Sequence, residues 1–149
     1  MTASITFNTV TSSIAALSIS GVTVKSSAQI TSSRLSTHAT LSPRPERFIT
    51  DLEVEAGEIS KQKMTVRYTL NYVYYHTQIG SVLDFPEYAD LLTNISAILV
   101  ALMTNNSVSG ALDLDAPTVS DIGPVLDPAG NVFLGCVISL RILQFVELP

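Results

Sequence analysis

The sequence predicts an α+β fold: a mainly antiparallel sheet packed by two helices, with a long extended arm or loop over residues 26–47. Three observations predict it. Residues 65–75 alternate apolar and polar side chains with period two. Residues 84–102 carry a broad apolar stripe at steps of three and four behind a capping sequence. Residues 26–42 hold neither period and lead into two prolines one residue apart. A chain of 149 residues fits one domain, 1–149, long enough to bury a core.

In chain order, residues 5–19 place Phe7, Val10, Ile14 and Leu17 on one side of a helix. Their many Ser and Thr neighbours leave a partly extended segment as the alternative. Gly21 fits a helix stop, and Val22, Thr23 and Val24 fit the start of a strand. The arm follows and ends in Pro43-Arg44-Pro45, where each ring fixes φ and holds its predecessor extended. Such a segment either lies on a partner or is a mobile loop.

Residues 48–55 read as a strand with Leu52 and Val54 on one face and Asp51, Glu53 and Glu55 on the other. The strand at 65–75 is central: Val66, Tyr68, Leu70, Tyr72 and Tyr74 share a face, and Val73 and Tyr75 predict that its far end is covered on both sides. Residues 76–81 read as a loop. A helix then starts at Asp84, with Pro86 in its first turn and Glu87 completing a capping box. Its stripe is Tyr88, Leu91, Leu92, Ile95, Ile98, Leu99 and Leu102, predicted to pack on the sheet. After Asn105 and Asn106, residues 111–115 alternate, and 119–125 with 132–147 form a hairpin about Asp127-Pro128-Ala129-Gly130-Asn131. A strand of that last length spans about 50 Å, so it must bend, bulge near Gly135 or project.

Composition narrows function. The chain is 46% hydrophobic and 14% charged, too apolar for disorder and sparsely charged for a freely soluble monomer. An obligate oligomer or assembly subunit is expected. Residues 1–50 hold four bases and one acid, and residues 51–149 hold four bases and twelve acids, so the molecule is electrically two-ended. A net charge of −5 argues against a general DNA binder. The most apolar run, 95–103, is much shorter than the roughly 20 residues of a membrane span, and residues 1–20 have no basic, apolar signal pattern. The chain is expected to stay in the cytoplasm where it is made, with no membrane contact.

No reaction chemistry is specified. His38 and His76 have no metal-ligand spacing, the acidic pairs Asp113/Asp115 and Asp121/Asp127 belong to no calcium loop, and no nucleophile, base and oxyanion site converge. Cys136 reads as core filler. The expectation is a protein that is no enzyme and needs no cofactor or metal. A small-ligand binding module is the competing class, with Tyr68, Tyr72 and Tyr74 lining a pocket in place of packing a core.

The order of elements, with Pro43-Arg44-Pro45-Glu46-Arg47-Phe48-Ile49 before the acidic strand, Val66-Arg67-Tyr68-Thr69-Leu70-Asn71-Tyr72 in the centre and Asp127-Pro128-Ala129-Gly130-Asn131 before the last strand, resembles the tail terminator and head-to-tail joining proteins of long-tailed bacteriophages. The resemblance covers nearly the whole chain. It implies a virion subunit that forms a hexameric ring on the tail tube, stops tube growth and meets the head connector. A connector completion protein and the corresponding terminator of a contractile injection system are the neighbouring alternatives. The implied partners are identical copies, the tail tube protein and the neck proteins, with DNA only passing through the lumen. On this reading Arg34, Arg44 and Arg47 contact the neighbouring subunit, and Asp51, Glu53 and Glu55 face the lumen or form an ordinary solvated strand face.

Overall fold

The computed structural model describes residues 11, 13–19, 21–24, 39–44, 47–56, 63–78, 85–104, 107–108, 112–114, 117–126 and 130–147. A short helical stretch (α1) includes residues 11 and 13–15. Strands β1 (Thr23–Val24), β2 (Thr40–Pro43), β3 (Ile49–Ala56) and β4 (Lys63–Gln78) precede helix α2 (Phe85–Thr104). Strands β5 (Ser107–Val108), β6 (Leu112–Leu114), β7 (Thr118–Leu126) and β8 (Val132–Glu147) complete one eight-stranded sheet. The sheet is mixed: β1 and β2 run parallel, and the other described pairs are antiparallel.

Two sixteen-residue strands, β4 and β8, form the axis of the molecule. On its outer side β4 pairs with β2 at one end and with β3 at the other, while β8 carries β7 and β6 in the same manner. Period-two alternation therefore acts on two long faces. The helix-side face of β4 offers Val66, Tyr68, Leu70, Tyr72 and Tyr74, opposite Leu134, Cys136, Ile138, Leu140 and Ile142 of β8. Leu91, Ile95, Ile98 and Leu102 of α2 close over them in one core. At one end the opposite face is also covered, where Val73, Tyr75 and Phe133 pack with Val125. The rings of Tyr75 and Phe133 meet edge to face at 5.5 Å, an arrangement that favours aromatic quadrupoles.

Several expectations change on folding. Thr40–Pro43, inside the expected arm, is a strand buried between β1 and β4, while residues 26–38 and 45–46 of that arm lie outside the described residues. Its polar Thr40 and Ser42 are buried together with Leu41 on the other face, so the segment shows no inside-outside pattern. Gly21 does not stop a helix; at φ 77° it makes the tight turn that joins the Ile19–Val22 bridge, a backbone region open to glycine. Helical structure has already ended by Leu17, and Asp84 with residues 1–10 lies outside the described residues. Residues 76–78, expected in a loop, extend β4. The irregularity expected near Gly135 of β8 falls on its partner: the register slips between Tyr75 and Thr77, beside Gly135.

Asn71 is the polar hinge of the second face. Its amide donates to the Arg47 carbonyl and to Thr50 Oγ1, both at 3.0 Å, and its carbonyl accepts from Ser139 Oγ at 2.7 Å. Its backbone binds Arg44 and Phe48 as well. One buried side chain thus ties the β2–β3 connection to both central strands. Asn71→Ala strands several part-buried polar groups at once and is expected to lower unfolding free energy by about 2–4 kcal/mol in urea titration. A loss under about 0.5 kcal/mol overturns this role.

Tyr68 poses the opposite case. Its hydroxyl is buried with no hydrogen-bond partner among the described residues, and burial raises its pKa. Tyr68→Phe removes an unpaid desolvation cost and keeps the ring, so it is expected to stabilise the fold by about 1 kcal/mol. A destabilised variant in the same titration overturns that assignment.

Candidate assembly surface

Helix α2 is apolar on more sides than its own sheet can cover. Over Glu87–Thr104 the mean hydropathy reaches 1.2, long and apolar enough by composition to suit a membrane span. Only one flank is seated in the core: Leu91, Ile95, Ile98 and Leu102. At 100° per residue, Tyr88, Leu92, Leu99, Val100 and Met103 occupy the adjoining flank, roughly a third of the circumference. Leu99 is half-buried and the other four are exposed, Val100 by 65%. The expected stripe was therefore two stripes side by side, and Tyr88 and Leu92 belong to the outer one. An open groove beside it is lined by Leu17, Ile19, Ala97, Val100 and Ala101.

The outer strands leave further apolar surface. On β3, Ile49 and Val54 stand in register with the core residues Leu70 and Val66, yet are exposed because α2 does not reach over them. Leu52, between them, is 56% exposed. On β7, Ile122 and Leu126 are exposed. Both strands carry the same device. A register shift lies between Thr50 and Glu53 in β3 and between Ser120 and Gly123 in β7, and Asp51 and Asp121 sit within them at φ 55° and 54°. Aspartate tolerates this left-handed region, and the bulge bends each edge away from continued pairing.

The bulge also reshapes the acidic face expected from alternation. Strict period two no longer links Asp51 with Glu53 and Glu55, and Leu52 and Val54 do not turn into a core. Glu53 Oε2 lies 3.7 Å from Arg141 Nη2, and Glu55 Oε2 lies 3.8 Å from Arg67 Nη1. These pairs are solvent-exposed and contribute little stability, but they offset two of the three carboxylates. Of the three arginines assigned to a neighbouring subunit, Arg34 lies outside the described residues, Arg44 is half-buried and Arg47 is exposed. Asn71 holds the backbone of the latter two in place.

The other candidate groups are placed as follows. Tyr68, Tyr72 and Tyr74 are packed in the core, and burial raises all three pKa values, that of Tyr74 to about 12. Cys136 is fully buried beside Tyr74, and desolvation pushes its thiol up to about 12, so it is no thiolate nucleophile at neutral pH. Among the described residues, no group of three or more His, Cys, Asp or Glu side chains could hold a metal ion. His38, Asp115 and Asp127 lie outside the described residues.

Sequence reading missed one polar cluster, because it assigned His76 to a loop. Asn94 Nδ2 donates to the Tyr74 hydroxyl at 2.8 Å, and that hydroxyl shares a hydrogen bond with His76 Nδ1 at 2.8 Å, its direction set by the imidazole tautomer. Burial lowers the His76 pKa, opposed by the nearby Asp90 and Glu87 carboxylates. The folded state then binds fewer protons than the unfolded state below about pH 6.5, so this stability is complete above that pH and is lost as pH falls through the lower folded value. The His76 ring is expected to titrate by NMR with a midpoint below 6.5, and a midpoint above it overturns the burial argument.

No protein-family model and no curated protein matches this chain.

Proposed function

We propose that this chain is a virion subunit of the tail-terminator kind, which closes into a ring on the head-proximal end of a phage tail tube, ends tube growth and joins the tail to the head connector. One observation carries the reading: the core stripe of α2 continues onto an outer flank that a single copy leaves in water. Exposed side chains of this size in one band mark a surface that another protein covers. The second apolar area on β3 supplies a different surface for the next contact, and two unlike surfaces related by a closing rotation generate a ring. The bulged edges support contact through faces over extension of the sheet.

In this assembly the helix-packed sheet, with β2 of the expected arm built into it, is the rigid body, and the part of the arm before β2 is assigned to a neighbour's surface. Arg34, Arg44 and Arg47 meet acidic groups there. DNA passes the lumen without specific readout, the tube and connector bind the two rims, and no cofactor takes part. The subunit assembles in the host cytoplasm and ends in the virion. Electron imaging of labelled particles tests this: label is expected at the head–tail junction, and label elsewhere, or a monomer that never caps tail tubes, overturns it.

A further inference from the structure

His76 sits where β4 breaks step. The register slip between Tyr75 and Thr77 leaves it without a sheet partner among the described residues, so side chains alone hold its half-buried ring. Two sets of groups compete for that ring. Toward the sheet, its Nδ1 lies 2.8 Å from the Tyr74 hydroxyl and 3.4 Å from Asn94 Nδ2, and the two aromatic rings stand 5.8 Å apart. On α2, Asp90 and Glu87 come four and seven residues before Asn94, on the same side of the helix, and their carboxylates favour a positive ring. No other charge faces it from the described elements: β2 has none, and β8 offers Leu134, Gly135 and Cys136 at this level. Burial pushes Tyr74 and Cys136 up to about 12, so both stay neutral.

Protonation changes which set fits. A neutral imidazole keeps one accepting nitrogen, whereas the imidazolium carries N–H groups on both, so Nδ1 then opposes the Asn94 N–H donor. The Tyr74 hydroxyl, which already accepts from Asn94, is left without an acceptor for its own proton among the described residues. A part-buried site bears such mismatches poorly, while exposed Asp90 offers the charge a partner. We propose that His76 is an acid-operated latch: neutral, it closes the Tyr74–Asn94 link between β4 and α2; protonated, its ring turns off Tyr74 toward the Asp90 carboxylate and the link opens. The device lies within one copy and holds whether or not the chain assembles. Because burial opposes the charge, the latch opens below the ordinary histidine midpoint of about 6.5 and is closed at neutral pH.

NMR on the full chain tests it, with the assigned His76 ring followed from about pH 8 down to about pH 4.5. Nuclear Overhauser contacts between the His76 and Tyr74 rings are expected above the midpoint and lost below it. Asp90→Asn removes the charged-state partner and is expected to lower the midpoint by about half a unit or more, whereas Tyr74→Phe removes the neutral-state partner and is expected to raise it by a similar amount. Ring contacts that persist through the titration, or a Tyr74→Phe midpoint that stays or falls, overturn the latch, because the charged ring would still rest on the tyrosine. A midpoint unmoved by Asp90→Asn, or a ring that stays neutral throughout, overturns it as well.

Discussion

Gly135→Ala is expected to lose at least about 3 kcal/mol of stability, the largest effect of an added methyl group among the described glycines. A Cβ at this position would overlap the Tyr74 carbonyl oxygen on the adjacent strand and stand 2.9 Å from Val125 Cγ2. Neither can retreat. The carbonyl belongs to the central β4–β8 ladder beside the slip at His76, and Val125 is part of the small second core with Val73, Tyr75 and Phe133. The cost is one of space, since Gly135 is not a positive-φ residue. Gly130 provides the contrast: it has φ 87° and open space around it, so Gly130→Ala costs only backbone strain of about 1 kcal/mol. Urea midpoints of the two variants separate the mechanisms, and equal losses would remove the close-packing explanation.

The second large effect is on assembly. Leu92→Glu combined with Val100→Glu places two carboxylates on the outer flank of α2, where the proposed contact is dry. Association is expected to weaken about a thousandfold, shifting the sedimenting species to a monomer. Far-UV circular dichroism is expected to hold, because the four core residues on the other flank are untouched, while the melting temperature falls by what association contributes. Rings that persist in this variant would show that the contact lies elsewhere.

Much of the fold was legible because alternation and helical spacing report burial directly where one side of an element is covered. The tyrosine-rich strand shows this, with its expected face buried in β4. Thr40–Pro43 was illegible for the converse reason: Thr40, Leu41 and Ser42 point to alternate faces and all are buried, so no alternation marks the strand. His76 was read as loop because a register slip interrupts the alternation there. In β3, periodicity puts Leu52 on a face with Val54 but expresses neither the bulge at Asp51 nor the exposure of both residues.

The candidate surface divides in the same way. The sequence by itself determined that α2 carries a wide apolar arc, that charge is scarce and that its sign differs between the halves of the chain, since these are properties of residue order alone. Only the tertiary structure decided which part of that arc is spent on the protein's own core and which remains outside. A helix lying on a sheet has one line of contact about 60–100° wide, and residues beyond it stay in water however apolar they are.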